Sequence, residues 1–259
     1  DARSNQPIHW AAMTRQLEFI DELLRRGADI NSRRSDGARP IHLTNGDYHF
    51  RGWRDVPKDW PTRPEDAYRH LKGLGASVDL GMACATGDLA RVRELLDAEP
   101  SLVNRLSDYA GYYLGCGAPI KNAAARGHFD IVKFLLERGA DPNLPEEGIA
   151  PDGHALYSAA ANGHFEIVKL LLQNGGHPNA EVESSADTLS RVLSNKDARM
   201  LELLCSHGAA RPVHLLAHTN DIQTAAAVFA ANPALAKDTE ALANAASEGF
   251  FRAADGGTL

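Results

Sequence analysis

Along most of the chain, apolar positions fall in two short blocks separated by a glycine and a polar residue, and this arrangement returns at intervals of 24 to 40 residues, 33 to 36 where the copies are clearest. Residues 127–143 read GHFDIVKFLLERGADPN and residues 163–179 read GHFEIVKLLLQNGGHPN, identical at 11 of 17 positions at an offset of 36. Ile131, Val132, Leu135 and Leu136 stand at i, i+1, i+4 and i+5, one apolar face of a helix. Gly139 and Gly175 follow the last turn, where a helix commonly ends on a left-handed residue. Before each glycine–histidine pair lies an alanine-rich stretch, PIKNAAARG at 119–127 and ALYSAAANG at 155–163. Its small side chains predict a second, shorter helix that admits a close neighbour. A pair of such helices cannot bury its apolar face alone, so the units must stack.

The same frame runs through the rest of the sequence. PIHWAA begins at Pro7 and PIHLTN at Pro40, and weaker copies begin at Asp79, Thr188, Pro212 and Ala241. Units therefore start near positions 7, 40, 79, 119, 155, 188, 212 and 241, giving seven full units and a terminal half unit. Residues 1–259 are expected to form one repeat domain.

These residues resemble ankyrin repeats. The Thr-Pro-Leu-His-x-Ala-Ala opening of that family is matched by Pro7-Ile8-His9-Trp10-Ala11-Ala12 and Pro40-Ile41-His42-Leu43. Its second half is matched at 127–143, at 163–179 and by LRRGADIN at 24–31. The resemblance implies an all-α solenoid of stacked helix-turn-helix units with hairpin-like turns, and a non-catalytic module that binds a partner protein. In such proteins partners contact the hairpin turns and the concave face of the inner helices. Here those positions include Arg33, Ser35, Asp36 and Ala38 in the first turn, and Met13, Thr14, Ala85, Thr86, Arg126, Asn162, Ser194 and Asn195 before the inter-helix turns.

Departures from the frame carry what information the consensus does not. The segment FRGWRDVPKDWPTRPEDAYRH at 50–70 interrupts the second unit, whose outer helix is expected to resume near Glu65. About 15 to 18 residues are inserted there, at about 48–64, if the helices are otherwise joined by a usual short connection. The prolines account for the lack of helix before that point. A long turn follows the third unit and carries Tyr109, Tyr112 and Tyr113; the turn after the fourth is acidic, and the sixth unit is shortened. Aromatic and arginine side chains dominate protein–protein hot spots. The expected partner-binding residues are therefore Trp53, Trp60, Arg54, Tyr68, Tyr109, Tyr112, Tyr113, Arg33, Asp36 and Arg126. For Trp53 and Trp60, pinning the insertion onto the repeats is an equal alternative.

The composition fits a folded chain, 44% apolar and 24% charged, with a formal charge of −7 that argues against nucleic acid as a partner. Three dispersed cysteines suggest neither a disulfide framework nor a structural zinc site, consistent with a reducing, cytoplasmic setting. The chain begins without methionine, as a processed or excerpted chain would, and DARSNQPIHW shows no leader pattern. His214 and His218 stand at i and i+4, but leucine occupies the place of the glutamate base that a zinc peptidase needs beside the first histidine. His128 and His164 occupy a repeat position where histidine bonds the neighbouring unit, and Glu146 and Glu147 have no evident partner. The expectation is a monomer without catalytic residues, metal, cofactor or membrane contact. Two other readings are a dedicated inhibitor or immunity protein of one enzyme, and an enzyme or metal-binding protein with a site beneath the insertion.

Overall fold

The computed structural model describes residues 4–47, 59–111, 113–146, 154–179, 187–209, 216, 222–231 and 233. They fall into two compact units, residues 1–203 and 204–259. The described residues contain helices and turns and no strand. None of the described helices is long and apolar enough to cross a membrane.

The first unit is a succession of helix pairs. Its inner and outer helices alternate as α1 (Pro7–Met13) and α2 (Leu17–Arg25), α4 (Leu80–Thr86) and α5 (Leu89–Ala98), α6 (Pro119–Ala125) and α7 (Phe129–Glu137), and α8 (Ala155–Ala161) and α9 (Phe165–Gln173). Helices α10 (Thr188–Ser194) and α11 (Ala198–Ser206) follow; α3 (Pro64–Gly73) precedes α4. In the second compact unit, α12 spans Ile222–Ala231.

The starts are set locally. Proline opens α1, α3 and α6, where its missing N–H costs nothing. Asp79 and Asp88 cap α4 and α5 by accepting from the backbone N–H groups of Met82 and Arg91 at 2.9 and 3.2 Å. Inner helices α4, α6 and α8 lie side by side, with Ala83, Ala123, Ala124 and Ala159 fully buried between them. The outer helices bury Val92 and Leu96, Ile131, Val132 and Leu135, and Ile167, Val168 and Leu171. Each such aliphatic side chain contributes about 1.5–3 kcal/mol on burial.

Two hydrogen-bond ladders fix the spacing between units. Asn104 accepts from the Asp141 N–H at 2.8 Å and donates to the Gly139 carbonyl at 3.0 Å. Asn143 repeats both bonds with His177 and Gly175, at 2.7 and 2.8 Å. On the other side, Nε2–H of His128 donates to the Ala85 carbonyl and that of His164 to the Ala125 carbonyl, each at 3.3 Å. Gly87 and Gly127 make room for those rings: their φ angles are +77° and +78°, and a Cβ there would lie 2.8 and 2.7 Å from the imidazole.

The second repeat departs from the others. Its inner element is a four-residue 3-10 turn, Pro40–Leu43, in place of the seven-residue helix that its opening motif predicts. Thr44, Asn45 and Gly46 stand where other units have alanines, and this turn-forming run ends the helix early. The opening proline precedes the glycine that closes the outer helix by 20 residues at Pro7–Gly27 and Pro119–Gly139, but by 35 at Pro40–Gly75. The excess is 15 residues, and residues 48–58 of the expected insertion lie outside the described residues. The outer helix resumes at Pro64, one residue before the expected Glu65.

Material from elsewhere compensates for the shortened helix. The long turn after the third repeat folds back and delivers Tyr109, Tyr113 and Cys116 to a cluster with Met13, Ala38 and Leu43. The Tyr109 ring stacks on His42, with centroids 3.9 Å apart. His42 accepts the Arg39 N–H at Nδ1, so its proton sits on Nε2 and is donated to Asp79 at 2.8 Å. The Arg34 guanidinium, with a side chain that is 0% exposed, bonds Asp36, Asp47, Asn5 and the Tyr113 hydroxyl.

Replacing Arg34 by methionine leaves Asp36 and Asp47 without their cation, and removing one partner of a buried pair costs about 3–5 kcal/mol. Tyr113→Phe, which deletes one hydroxyl from the same group, is expected to cost about 1–2 kcal/mol. Urea unfolding of both variants beside wild type checks the order; an Arg34→Met midpoint no lower than that of Tyr113→Phe contradicts it.

Candidate functional site

The broken second repeat changes the surface beside it. Helix α4 packs along α6 and α6 along α8, whereas the 3-10 turn packs on α1 and α3. Helix α4 thus has no full-length helical neighbour on that side, and a cleft of about 450 Å³ opens at its last turn. Pro64, Glu65, Tyr68 and Arg69 of α3 line it, together with Ala85 and Thr86 of α4, Leu114 of the long turn, Arg126 and His128.

The floor and walls are mostly apolar, from Pro64, Ala85, Leu114 and the Tyr68 ring. Tyr68 is buried, and its hydroxyl has no hydrogen-bond partner. Burial pushes its pKa up; Thr86 and Asp88 are near it, without the geometry of a bond. The Thr86 hydroxyl donates instead to the Met82 carbonyl at 2.7 Å. Asp88 pairs with Lys72, and although burial opposes its charge, the lysine and the Arg91 N–H hold its pKa below the usual carboxylate range.

Charges around the rim are unequally matched. Arg69 pairs with Asp66 at 2.8 Å. Glu65 faces the buried Arg15, whose pKa burial lowers and this glutamate supports. Arg126 is exposed and makes no ion pair among the described residues. The His128 pKa is lowered by burial and by the Arg126 cation, against the bond to Ala85, so the ring is neutral near pH 7.

The predicted site residues divide accordingly. Arg126 is exposed on the cleft. Tyr68 forms its floor rather than a projecting contact. Tyr109 and Tyr113 are 2% and 7% exposed, so the aromatic turn read as a docking surface instead supplies interior packing. Its rings fill the volume left by the shortened helix. Asp36 is held by Arg34 and by the Tyr113 hydroxyl at 2.5 Å, and these bonds lower its pKa despite burial. Arg33 is exposed but bridges to Asp108 at 2.6 Å, tying the first hairpin to the long turn. Trp60 is partly buried, with its indole N–H enclosed and unbonded, which favours the pinning alternative for that ring. Trp53, Arg54 and Tyr112 lie outside the described residues, as do His214 and His218.

One acidic residue had been read without a partner. Glu146 is fully buried, pairs with Lys121 at 3.0 Å and accepts the Ala118 N–H at 2.5 Å. Its partners lie 25 and 28 residues away in sequence, which is why local spacing did not reveal them. Arg34 reads as one more polar residue of a turn, because apart from Asp36 its partners Asn5, Asp47 and Tyr113 lie 29, 13 and 79 residues away. Among the described residues, no group of three histidine, cysteine, aspartate or glutamate side chains is placed to hold a metal ion.

Alternating short helices, inter-unit asparagine and histidine bonds and hairpin connections define a helical-repeat scaffold that presents a surface. The ankyrin repeat profile matches residues 5–35, and a three-copy ankyrin repeat profile matches residues 80–182, together more than half of the chain. The chain belongs to the ankyrin repeat family, and its fold is that family's all-α solenoid. A crystallographic ankyrin repeat domain from Acinetobacter baumannii AYE is 23% identical with a TM-score of 0.44, covering 79% of this chain and 98% of that one. The human ASB11 ankyrin repeat domain is 20% identical with a TM-score of 0.44, covering 80% and 85%. Over 73 residues the chain is 42% identical to a probable E3 ubiquitin-protein ligase, XBOS33, of Oryza sativa subsp. japonica. That segment is 28% of this chain and only 13% of the rice protein's length. Ankyrin repeats generally mediate protein–protein interaction, and the fold is typically non-catalytic.

Burial also lowers the pKa of His9, whose Nδ1 accepts the Gln6 N–H at 3.0 Å and whose Nε2 bonds the Ser32 carbonyl at 3.1 Å. For His9 and His128 the folded pKa lies below the ordinary 6.5, so the unfolded chain binds more protons in that range. Their contribution is complete above pH 6.5 and is lost as the pH falls below it through the folded values. Each unit of displacement corresponds to about 1.4 kcal/mol. Thermal melts should therefore show stability falling as the pH drops from 7.5 to about 5. A His9→Gln/His128→Gln variant should be less stable at pH 7.5 yet show a flatter decline; an unchanged slope would locate the dependence elsewhere.

Proposed function

We propose that this chain is a non-catalytic interaction module whose partner protein docks on the second to fourth repeats, centred on the cleft where α3, α4 and α6 meet. The observation that carries the reading is the cleft itself. It lies beside a repeat whose inner helix is shortened, and it brings together Thr86 and Arg126, both in positions from which ankyrin repeats contact partners. Its walls are apolar and its rim charged, the composition of a hot-spot pocket surrounded by polar groups. The surroundings are rigid: Arg33–Asp108, Arg34 with its four partners, and His128 to Ala85 all hold the flanking turns in place. Little ordering entropy is then lost on binding.

Filling the cleft tests this. Thr86→Arg places a large side chain at the mouth from a partly buried helix-end position. The variant should keep its helical spectrum and capture the partner at least about tenfold more weakly than wild type, as expected when a central contact is blocked. Retention of the same partners at the same affinity, measured by quantitative affinity capture with the full chain, would move the binding site elsewhere.

A further inference from the structure

The cleft carries information about the chemistry of its occupant, and the inference below rests on the docking reading just given. Two observations independent of each other point the same way. The first is a charge without a counter-charge. Most arginines nearby are matched: Arg33 with Asp108, Arg34 with Asp36 and Asp47, Arg69 with Asp66, Arg91 with Glu94, Arg138 with Asp97. Arg126 sits on the cleft with no such partner among the described residues, in a chain whose overall charge is −7. The second is a donor without an acceptor. Tyr68 is 7% exposed and its ring lines the cleft; its hydroxyl oxygen is enclosed, beside Thr86 and Asp88, and has no bonded acceptor. A buried donor left unsatisfied is destabilising, and an acceptor that packs against the ring and draws the hydroxyl toward the cleft relieves that cost.

A cation and a hydroxyl donor both call for an anionic acceptor, and the apolar walls of Pro64, Ala85 and Leu114 call for an apolar group beside it; of the other charged lining residues, Glu65 faces Arg15 and Arg69 is paired with Asp66. The volume, about 450 Å³, holds one or two side chains rather than a folded domain. We infer that the cleft binds a linear segment of the partner protein, seating an aspartate or glutamate side chain near Arg126 and Tyr68 and an adjacent apolar side chain against Leu114 and Ala85. Planar guanidinium groups favour carboxylates through paired N–H donors. Neutral His128, bonded to Ala85, forms a wall and adds no second cation.

The test uses the full-length chain, immobilised, and two pools of hexapeptides blocked at both ends. All positions are randomised except one, fixed as aspartate in the first pool and asparagine in the second. The aspartate pool should be retained about tenfold over the asparagine pool, equivalent to about 1.4 kcal/mol. Retained sequences should carry an apolar residue next to the aspartate. Arg126→Gln should abolish the preference, and Tyr68→Phe should reduce it while the helical spectrum stays that of wild type. Equal retention of the two pools, or a preference that survives Arg126→Gln, overturns the inference. So does a retained set that requires an unblocked C-terminus, or one displaced equally by inorganic phosphate. If blocking the cleft with Thr86→Arg weakens partner capture while the pools are equal, only the carboxylate chemistry fails; if that variant captures normally, the docking reading fails with it.

Discussion

A single guanidinium holds the unusual part of this molecule together. Arg34 lies in the first hairpin, yet its bonds reach back to Asn5, along the chain to Asp36 and Asp47, and 79 residues forward to Tyr113. A charge this deeply buried persists only when its donors are matched, because desolvation in a low-dielectric interior opposes it. Two carboxylates and two neutral acceptors meet that requirement, and together they keep the arginine's pKa raised against burial. The consequence is mechanical: the first hairpin, the start of the second repeat and the long turn are joined to one group.

That junction explains how the repeat array tolerates a defect. The second inner helix stops after one 3-10 turn, and without replacement the neighbouring inner helices would lose packing on one flank. Tyr109 and Tyr113 supply it, the former stacked on His42 and the latter bonded into the Arg34 cluster. Tyr109 and Tyr113, two of the aromatic residues that mark the departures in sequence, are therefore structural. What is left on the surface is the open end of α4, and the cleft there is the by-product of a helix that was shortened and only partly replaced.

The contrast with the fourth and fifth repeats is informative. There the asparagine and histidine ladders run regularly, and the buried charge of Glu146 is matched by Lys121 and a backbone donor. Regular repeats of this kind supply a rigid frame whose identity depends on period and small residues. On the docking reading proposed above, recognition arises where that period is broken, since there unmatched groups such as Arg126 and the Tyr68 hydroxyl collect around a concavity.

Period, alanine content and capping residues were enough to give the family and the helix pairs, because these follow from contacts between residues close in sequence or repeated at a fixed interval. The restart of the outer helix at Pro64 was legible for the same reason: proline restricts the backbone wherever it stands. The fate of the tyrosines was not legible, since whether Tyr113 faces solvent or the interior depends on Arg34, whose position relative to it no local pattern encodes. The shortened inner helix was hidden behind an intact opening motif, and its failure came from three following residues competing with that motif. The site itself, built from α3, α4, α6 and one turn, exists only in the tertiary structure, because a cleft is defined by the packing that is missing between elements rather than by any residue that composes it.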